Sequence, residues 1–363
     1  MNANKVRWVR LGEYITQRRE KNDNYDVPIL GVTNEGFIPP RQDGADTSLY
    51  NVFYKYDFVF NPARMELNSI YLNKEYDKAI CSSLYEIFYV SKPSELLPEF
   101  LNLYIKRDEF ARFCWYDAIG SARNYFRVNN MQDIMIPLPS VKIQQELVDT
   151  YNGLMALAEQ NEALIEPLSK ACEALIINCA NTYKREELRN HIKEVAHRNH
   201  ENLYGELSLR GVTNEGIFDK SKANTVGLDF SNYKIVSKGD FAYNPARINI
   251  GSIAVNNENN IIISPMYVVF KITSKSILPM FLNIWFKRKE FQRSTLFYAT
   301  GSVRDIFDFE LMQEVTVPIP PINVQESIIN IYNCLAEAKA IASEAREKLK
   351  TLCPALVQRA ANS

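Results

Sequence analysis

Six letters, GVTNEG, stand at Gly31–Gly36 and again, unchanged, at Gly211–Gly216. The correspondence continues downstream. Asn61-Pro-Ala-Arg64 returns as Asn244-Pro-Ala-Arg247, Gly120-Ser-Ala-Arg123 as Gly301-Ser-Val-Arg304, and Pro137-Leu-Pro139 as Pro318-Ile-Pro320. A displacement held between 180 and 183 residues along the chain is an internal duplication. Self-similarity of this kind fixes the architecture before any local feature does. A chain of two like halves presents two like surfaces, so whatever it grips is gripped twice.

Composition narrows the classes. With 363 residues, 46% of them hydrophobic and 23% charged, the chain has the make-up of a soluble globular protein. No apolar run approaches the roughly 20 residues that a membrane-spanning helix needs. The start, MNANKVRWVR, lacks the apolar core of a secretory signal, so a cytoplasmic location without membrane attachment is expected. Cys81, Cys114, Cys172, Cys179, Cys334 and Cys353 form no C-x-x-C pair, which suits a reducing compartment. The formal net charge of −1 excludes a protein that coats nucleic acid through a global positive field. Any nucleic-acid binding has to come from local clusters.

Each half runs in the same order. An opening segment (Val9–Ile15; Leu188–Ile192) leads to GVTNEG, whose Thr-Asn and glycines suit a tight turn. Short apolar strands follow, Tyr56–Phe60 and Gly239–Tyr243, each running into Asn-Pro-Ala-Arg. Further strands are expected at Leu84–Val90 and Met266–Ile272. A helix opened by a proline comes next, from Pro98 to Phe110 and from Pro279 to Phe291.

After the P-x-P elements glycine nearly vanishes and helix formers dominate. Tyr151, Leu154, Ala158, Asn161, Ile165, Leu168, Cys172 and Leu175 fall at alternating spacings of three and four. Ile331, Leu335, Ala338, Ala342, Ala345, Leu349, Leu352 and Leu356 do the same, a heptad seam in each segment. Pro167 and Pro354 interrupt the pattern and are expected to kink or end a helix locally. Two matched seams predict helices of about 60 Å packed as an antiparallel coiled coil that spaces the globular parts. The fold class expected is α+β, with two similar globular α/β recognition domains and two long helices in a pseudo-twofold repeat. The segments are 1–142 and 185–322 for the domains, and 143–184 and 323–363 for the helices.

The search for catalytic chemistry is mostly negative. The sequence has no G-x-G-x-x-G, no G-x-x-x-x-G-K, no H-E-x-x-H and no G-x-S-x-G. Asn-Pro-Ala-Arg shares two letters with the Asn-Pro-Pro-aromatic loop of adenine methyltransferases but lacks the aromatic that stacks a flipped base. His191, His197 and His200 lie within ten residues, yet no carboxylate or cysteine pattern completes a metal shell. No catalytic residue, metal or cofactor is assigned.

The basic residues say more, because they recur at matched places. Arg64 matches Arg247, Lys106-Arg107 matches Lys287-Arg288, Arg112 matches Arg293, and Arg123 matches Arg304. On a continuous helix Lys106 and Arg107 would lie side by side. Arg and Lys hold phosphate oxygens, and Arg also forks onto guanine in a major groove. The plain alternative is that Arg64 and Arg247 pair with nearby acids while the Lys-Arg pairs form a solvated helix face.

Two variable repeats, each with a G-S-x-R turn, a P-x-P exit and a long helix opening with a glutamine (Gln144, Gln325), resemble the specificity subunit of type I restriction-modification systems. The resemblance covers the whole chain through the order and duplication of its motifs. It implies a non-catalytic, DNA-binding subunit in which each repeat is a target recognition domain reading half of a bipartite DNA sequence. It implies as partners double-stranded DNA, two docked methyltransferase subunits and restriction or translocase subunits, with no cofactor of the chain's own. The DNA-facing positions it implies are Asn34, Arg64, Arg123 and Asn124 in the first domain, and Asn214, Arg247, Arg304 and Asp305 in the second. Lys106, Arg107, Lys287 and Arg288 join them as matched basic residues. Asn124 and Asp305 differ within a shared frame; Asn bonds adenine and Asp accepts from cytosine, so this pair is a candidate discriminator. A self-contained DNA-modifying enzyme and a two-headed protein-interaction scaffold are the alternatives.

Overall fold

The computed structural model describes residues 7–23, 26–40, 46–118, 125–221, 225, 227–299 and 306–362, with backbone alone along 117–118, 298–299 and 352–362. The chain is a mixed α/β protein of two compact units, residues 1–160 with 341–363, and residues 161–340.

In the first unit an antiparallel sheet has the spatial order Ile15–Arg18, Glu86–Val90, Asp57–Phe60, Ile70–Leu72. A second sheet runs Phe37–Ile38, Ile29–Val32, Lys78–Cys81, Asn51–Tyr54, and only its central pair is parallel. Arg7–Arg10 pairs with Met135–Leu138. The second unit repeats this order. Its antiparallel sheet is Ile192–Glu194, Val268–Ile272, Phe241–Tyr243, Ile253–Val255. Its other sheet is Phe218–Lys220, Leu209–Val212, Ile261–Ile263, Lys234–Val236, again with a parallel central pair. Arg185–Glu187 pairs with Thr316–Pro318.

The two-residue period of a strand explains why Asp57–Phe60 is buried along its whole length. Phe58 and Phe60 point into one core with Phe88 and Phe100, while Val59 between them points into another with Phe53 and Ala79. Phe241 and Tyr243 divide from Ala242 in the same way. Phe58 stacks on Phe88 with centroids 4.8 Å apart, and Phe241 stacks on Phe270 at 4.9 Å. One position differs in chemistry. Tyr243 stands where the first unit has Phe60, and its buried hydroxyl has no hydrogen-bond partner among the described residues. Burial pushes its phenol well up from the usual value.

The helices of the first unit are α1 (Pro98–Ile105), α2 (Asp108–Ala118) and α3 (Val128–Asp133), followed by α4 (Val141–Thr182). Those of the second are α5 (Pro279–Phe286), α6 (Lys289–Ala299) and α7 (Phe309–Glu314), followed by α8 (Ile322–Asn362). Pro98 and Pro279 occupy the first turn, where the missing N–H costs nothing. The continuous helices expected through Lys106-Arg107 and Lys287-Arg288 are in fact broken there. Each Lys-Arg pair sits in the corner between two helices rather than on one face.

Gln144 holds this corner to the long helix. Its side-chain oxygen accepts from the Leu97 N–H (2.8 Å), and its amide nitrogen donates to the carbonyls of Glu95 (2.8 Å) and Pro139 (2.9 Å). Gln325 does the same to Leu278 (2.8 Å), Ser276 (2.7 Å) and Pro320 (2.8 Å). Both glutamines are fully buried. The entry to α1 or α5, the P-x-P exit and the first turn of the long helix are thereby fixed by one side chain.

The seams of α4 and α8 behave as heptads. Ala158 and Cys172 on α4 are buried, and so are Leu335, Ala338, Ala342 and Ala345 on α8. Tyr151, Leu154, Asn161, Ile165, Leu168 and Leu175 are half-buried, and the seam positions Leu352 and Leu356 lie outside the described side chains. Within the second unit Cys172, Ile176 and Cys179 share a core with Ile328, and Ile331 packs against it. Within the first, Arg346 Nη1 lies 3.4 Å from Met155 Sδ. Of the two outcomes expected at Pro167 and Pro354, a kink or an end, the end does not occur: α4 and α8 run on past both prolines. A proline in mid-helix costs about 3 kcal/mol, and burial of the seam residues around Pro167 offsets a cost of that size.

Two outcomes are expected. Gln144→Leu leaves one buried N–H and two carbonyls unpaired and destabilises the first unit by roughly 3–5 kcal/mol, read by urea denaturation. Tyr243→Phe removes an unpaired buried hydroxyl and stabilises the second unit by about 1 kcal/mol, read as a higher thermal midpoint; a lower midpoint means that the hydroxyl is bonded.

Candidate nucleic-acid interface

The Asn-Pro-Ala-Arg segment follows the buried central strand in both units and folds back on itself. Asn61 Oδ1 accepts from the Ala63 N–H (3.1 Å), and the Arg64 N–H donates to the Asn61 carbonyl (3.0 Å). Asn244 makes the same bonds to Ala246 (3.0 Å) and Arg247 (2.9 Å). The arginine carbonyls accept from Ser69 N–H (3.3 Å) and Ser252 N–H (3.2 Å). The arginines adopt nearly the same backbone, φ −139°, ψ 27° at Arg64 and φ −134°, ψ 8° at Arg247. With the backbone satisfied internally, the guanidinium is what remains. Both arginines are exposed, and neither has a hydrogen-bonding or ionic partner among the described residues. The pairing with nearby acids, the plain alternative for these two, is not formed.

The GVTNEG turn is tied to the same place. Thr33 Oγ1 donates to the Gly36 carbonyl (2.9 Å) and accepts from the Gly36 N–H (3.2 Å), closing the turn. In the second unit the Gly216 N–H donates to the Thr213 carbonyl (3.1 Å), with Gly216 at φ +67°. Ser69 Oγ then donates to the Val32 carbonyl (3.1 Å) and Ser252 Oγ to the Val212 carbonyl (3.0 Å). Each serine bolts the turn to the hairpin that carries Asn-Pro-Ala-Arg. Gly251, at φ +98°, brings that hairpin so near the second turn that a Cβ would lie 2.3 Å from the Asn214 carbonyl. Asn34 and Asn214, the expected readers on the turns, are both exposed.

The chain that follows the third repeated motif is held beside them. The Phe126 N–H donates to the Pro62 carbonyl (2.9 Å), and the Phe307 N–H to the Pro245 carbonyl (3.1 Å). Both phenylalanines are fully buried. The chain leaving each G-S-x-R turn is therefore anchored on the proline of Asn-Pro-Ala-Arg. Arg123, Asn124, Arg304 and Asp305 themselves lie outside the described residues.

The Lys-Arg pairs do a different job. Lys106 Nζ donates to the Ile70 carbonyl (2.8 Å) and also to the Asn34 carbonyl, so it props up the turn from beneath. Burial lowers its pKa to about 8, with Glu35 opposing the shift. Arg107 is buried, its Nε donating to the Tyr104 carbonyl (3.1 Å) and its guanidinium 3.9 Å from the Tyr104 ring. Arg288 repeats the stack over Trp285 at 4.1 Å and pairs with Glu290 (3.4 Å), and burial lowers its pKa. Lys287 donates to the Tyr332 hydroxyl (3.0 Å) on α8. These four hold the frame, and their charges are largely committed within it.

In the first unit the arrangement leaves a groove of about 460 Å³, whose lining includes Asn34, Asn61, Arg64, Leu67, Ser82 and Leu84. Two expected readers, Asn34 and Arg64, thus meet across one concave surface. Sequence reading missed Ser69 and Ser252, although each stands five residues after its arginine in both repeats. His191 is buried against Glu186 (3.0 Å), while His197 and His200 are exposed. No group of three or more His, Cys, Asp or Glu side chains gathers as a metal shell among the described residues, and no described helix is long and apolar enough to cross a membrane.

No protein-family model matches the chain, and no curated protein does. Solved structures do. The HsdS subunit from Thermoanaerobacter tengcongensis aligns over 100% of this chain and 98% of its own, at 17% identity and a TM-score of 0.42. The S subunit of a type I restriction-modification system from M. genitalium aligns over 99% of this chain and 97% of its own, at 13% identity and a TM-score of 0.60. Over nearly its whole length, then, the chain has the fold of the M. genitalium S subunit.

Proposed function

We propose that this chain is the DNA-specificity subunit of a type I restriction-modification complex, without a catalytic site of its own. Each unit contains a target recognition domain that reads one half of a bipartite DNA sequence, at residues 1–142 and 185–322. The long helices, in 143–184 and 323–363, pair as an antiparallel coiled coil, relate the domains by a pseudo-twofold and dock two methyltransferase subunits. Restriction or translocase subunits are further candidate partners, and the protein acts in the cytoplasm. The observation that carries the reading is the repeated frame: in both units the GVTNEG turn and the Asn-Pro-Ala-Arg hairpin are bonded together and leave one exposed arginine whose guanidinium has no partner among the described residues. The shared fold with an S subunit supports it, as do the buried seams on both long helices.

The DNA-facing residues proposed are Asn34, Arg64, Arg123 and Asn124 with Asn214, Arg247, Arg304 and Asp305. Lys106, Arg107, Lys287 and Arg288 act from behind, by holding the turns and helix corners. A net charge of −1 fits this division, since attraction to phosphate then comes from a few exposed arginines rather than from the whole surface.

Binding of the assembled complex to DNA is expected to fall by about 1–3 kcal/mol in Arg64→Ala and in Arg247→Ala, followed by fluorescence anisotropy over a salt series. A loss equal on all sequences, with the salt slope reduced by about one, marks a phosphate contact; a loss at one base pair marks base reading. Unchanged affinity in both variants overturns the site. Mapping adenine methylation in the host genome with and without this gene is expected to show one two-part motif lost. Methyl transfer to DNA by the pure chain alone would overturn the non-catalytic reading.

A further inference from the structure

Two exposed aliphatic side chains that the frame does not use recur at matched positions in the two units. In the first unit they are Leu67 (63% exposed), three residues after Arg64, and Leu84 (76% exposed). In the second they are Ile250 (47%) and Met266 (64%), at the corresponding positions after Arg247 and in the matching turn. Single exposed hydrophobes are ordinary on protein surfaces. A pair that recurs at matched positions, and in the first unit lines one groove with an unpaired arginine and an exposed asparagine, is not a scatter.

The turn that carries Leu84 is rigid. Ser82 Oγ accepts from the Leu84 N–H (3.3 Å), and the Tyr85 N–H donates to the Ser82 carbonyl (3.0 Å). The Tyr267 N–H donates to the Ser264 carbonyl (3.1 Å) in the second unit, so Met266 sits on the same corner. Strands Lys78–Cys81 and Glu86–Val90 enter and leave the first of these turns, which fixes the side chain relative to both sheets. Leu67 closes the short helical turn that begins at Pro62.

We infer that Leu84 with Leu67, and Met266 with Ile250, are specificity-determining residues that read the 5-methyl group of thymine in the major groove. The inference rests on the DNA-reading function proposed above. Of the groups on base edges, the thymine methyl is the one that an aliphatic side chain recognises, whereas Arg forks onto guanine and Asn onto adenine. The groove in the first unit therefore offers a matched set: a guanidinium for guanine or phosphate, an amide for adenine, and two aliphatic groups for thymine. The apolar character is held between the units while the shape changes, from Leu to Met and from Leu to Ile. That is the variation expected of a contact that keeps its chemical class and adapts to a different half-site.

The test uses the complete complex with its methyltransferase subunits and a duplex carrying the motif mapped by methylation sequencing. Two further duplexes have all thymines of one half-site replaced by deoxyuridine, which removes the methyl and keeps the base-pair hydrogen bonds. The native complex is expected to bind each of them about fourfold more weakly per contacted thymine, the loss of one buried methyl. The double variant Leu67→Ala/Leu84→Ala is expected to lose that sensitivity for one half-site only, and Ile250→Ala/Met266→Ala for the other. Equal binding of native complex to thymine and deoxyuridine duplexes, or sensitivity that persists in both double variants, would each overturn the inference. So would variants that fail to assemble with the methyltransferase subunits in size-exclusion chromatography, which would assign these side chains to a protein interface. Arg64→Ala is measured in parallel. If it weakens binding while deoxyuridine has no effect, only the thymine contact fails; if it has no effect either, the proposed DNA site fails with it.

Discussion

A single buried primary amide organises each unit. Gln144 and Gln325 each offer one acceptor and two donors, and each finds one N–H and two carbonyls waiting at the junction of two chain segments. Glutamate in its ionised form has no proton to give the two carbonyls, and leucine satisfies none of the three groups. Because the amide sits in the first turn of a long helix, it locks that helix to the globular part at the point where the chain leaves it. Packing of the α1 and α5 corners, and hence the support beneath the groove, follows from that fixed exit.

The groove shows how charge is divided between frame and function. Lys106 is pulled inward by two carbonyls, and burial pushes its pKa down to about 8. Arg107 and Arg288 lie on aromatic rings. Arg64 and Arg247 instead sit on hairpins whose backbone bonds close on themselves, so their guanidinium groups stay exposed. A protein with almost no net charge thus presents positive groups at chosen points rather than over its whole surface, as the proposed DNA-reading role requires.

Much of this frame was legible in the sequence. Short apolar runs pointed to strands at Tyr56–Phe60 and Gly239–Tyr243, which form as Asp57–Phe60 and Phe241–Tyr243, and prolines placed the starts of α1 and α5. The misses share a cause. The breaks at Lys106-Arg107 and Lys287-Arg288, and the passage of α4 through Pro167, depend on partners distant along the chain. Ser69 and Ser252 were repeated in plain view, but nothing local says that a serine hydroxyl will meet a carbonyl 37 or 40 residues earlier.

The sequence by itself determined that there are two copies of one frame, which elements build it, and that polar and basic residues recur at fixed places in it. Those features follow from chemistry between near neighbours, such as the strand period, proline's missing N–H and the heptad. Only the tertiary structure decided which of the recurring residues stay free. Lys106 and Arg64 look alike in sequence, yet one reaches the carbonyl of Asn34, 72 residues away, and the guanidinium of the other has no partner among the described residues. The difference arises because a charge is committed or exposed according to which backbone groups packing brings within about 3 Å of it, and that distance exists only in the folded chain.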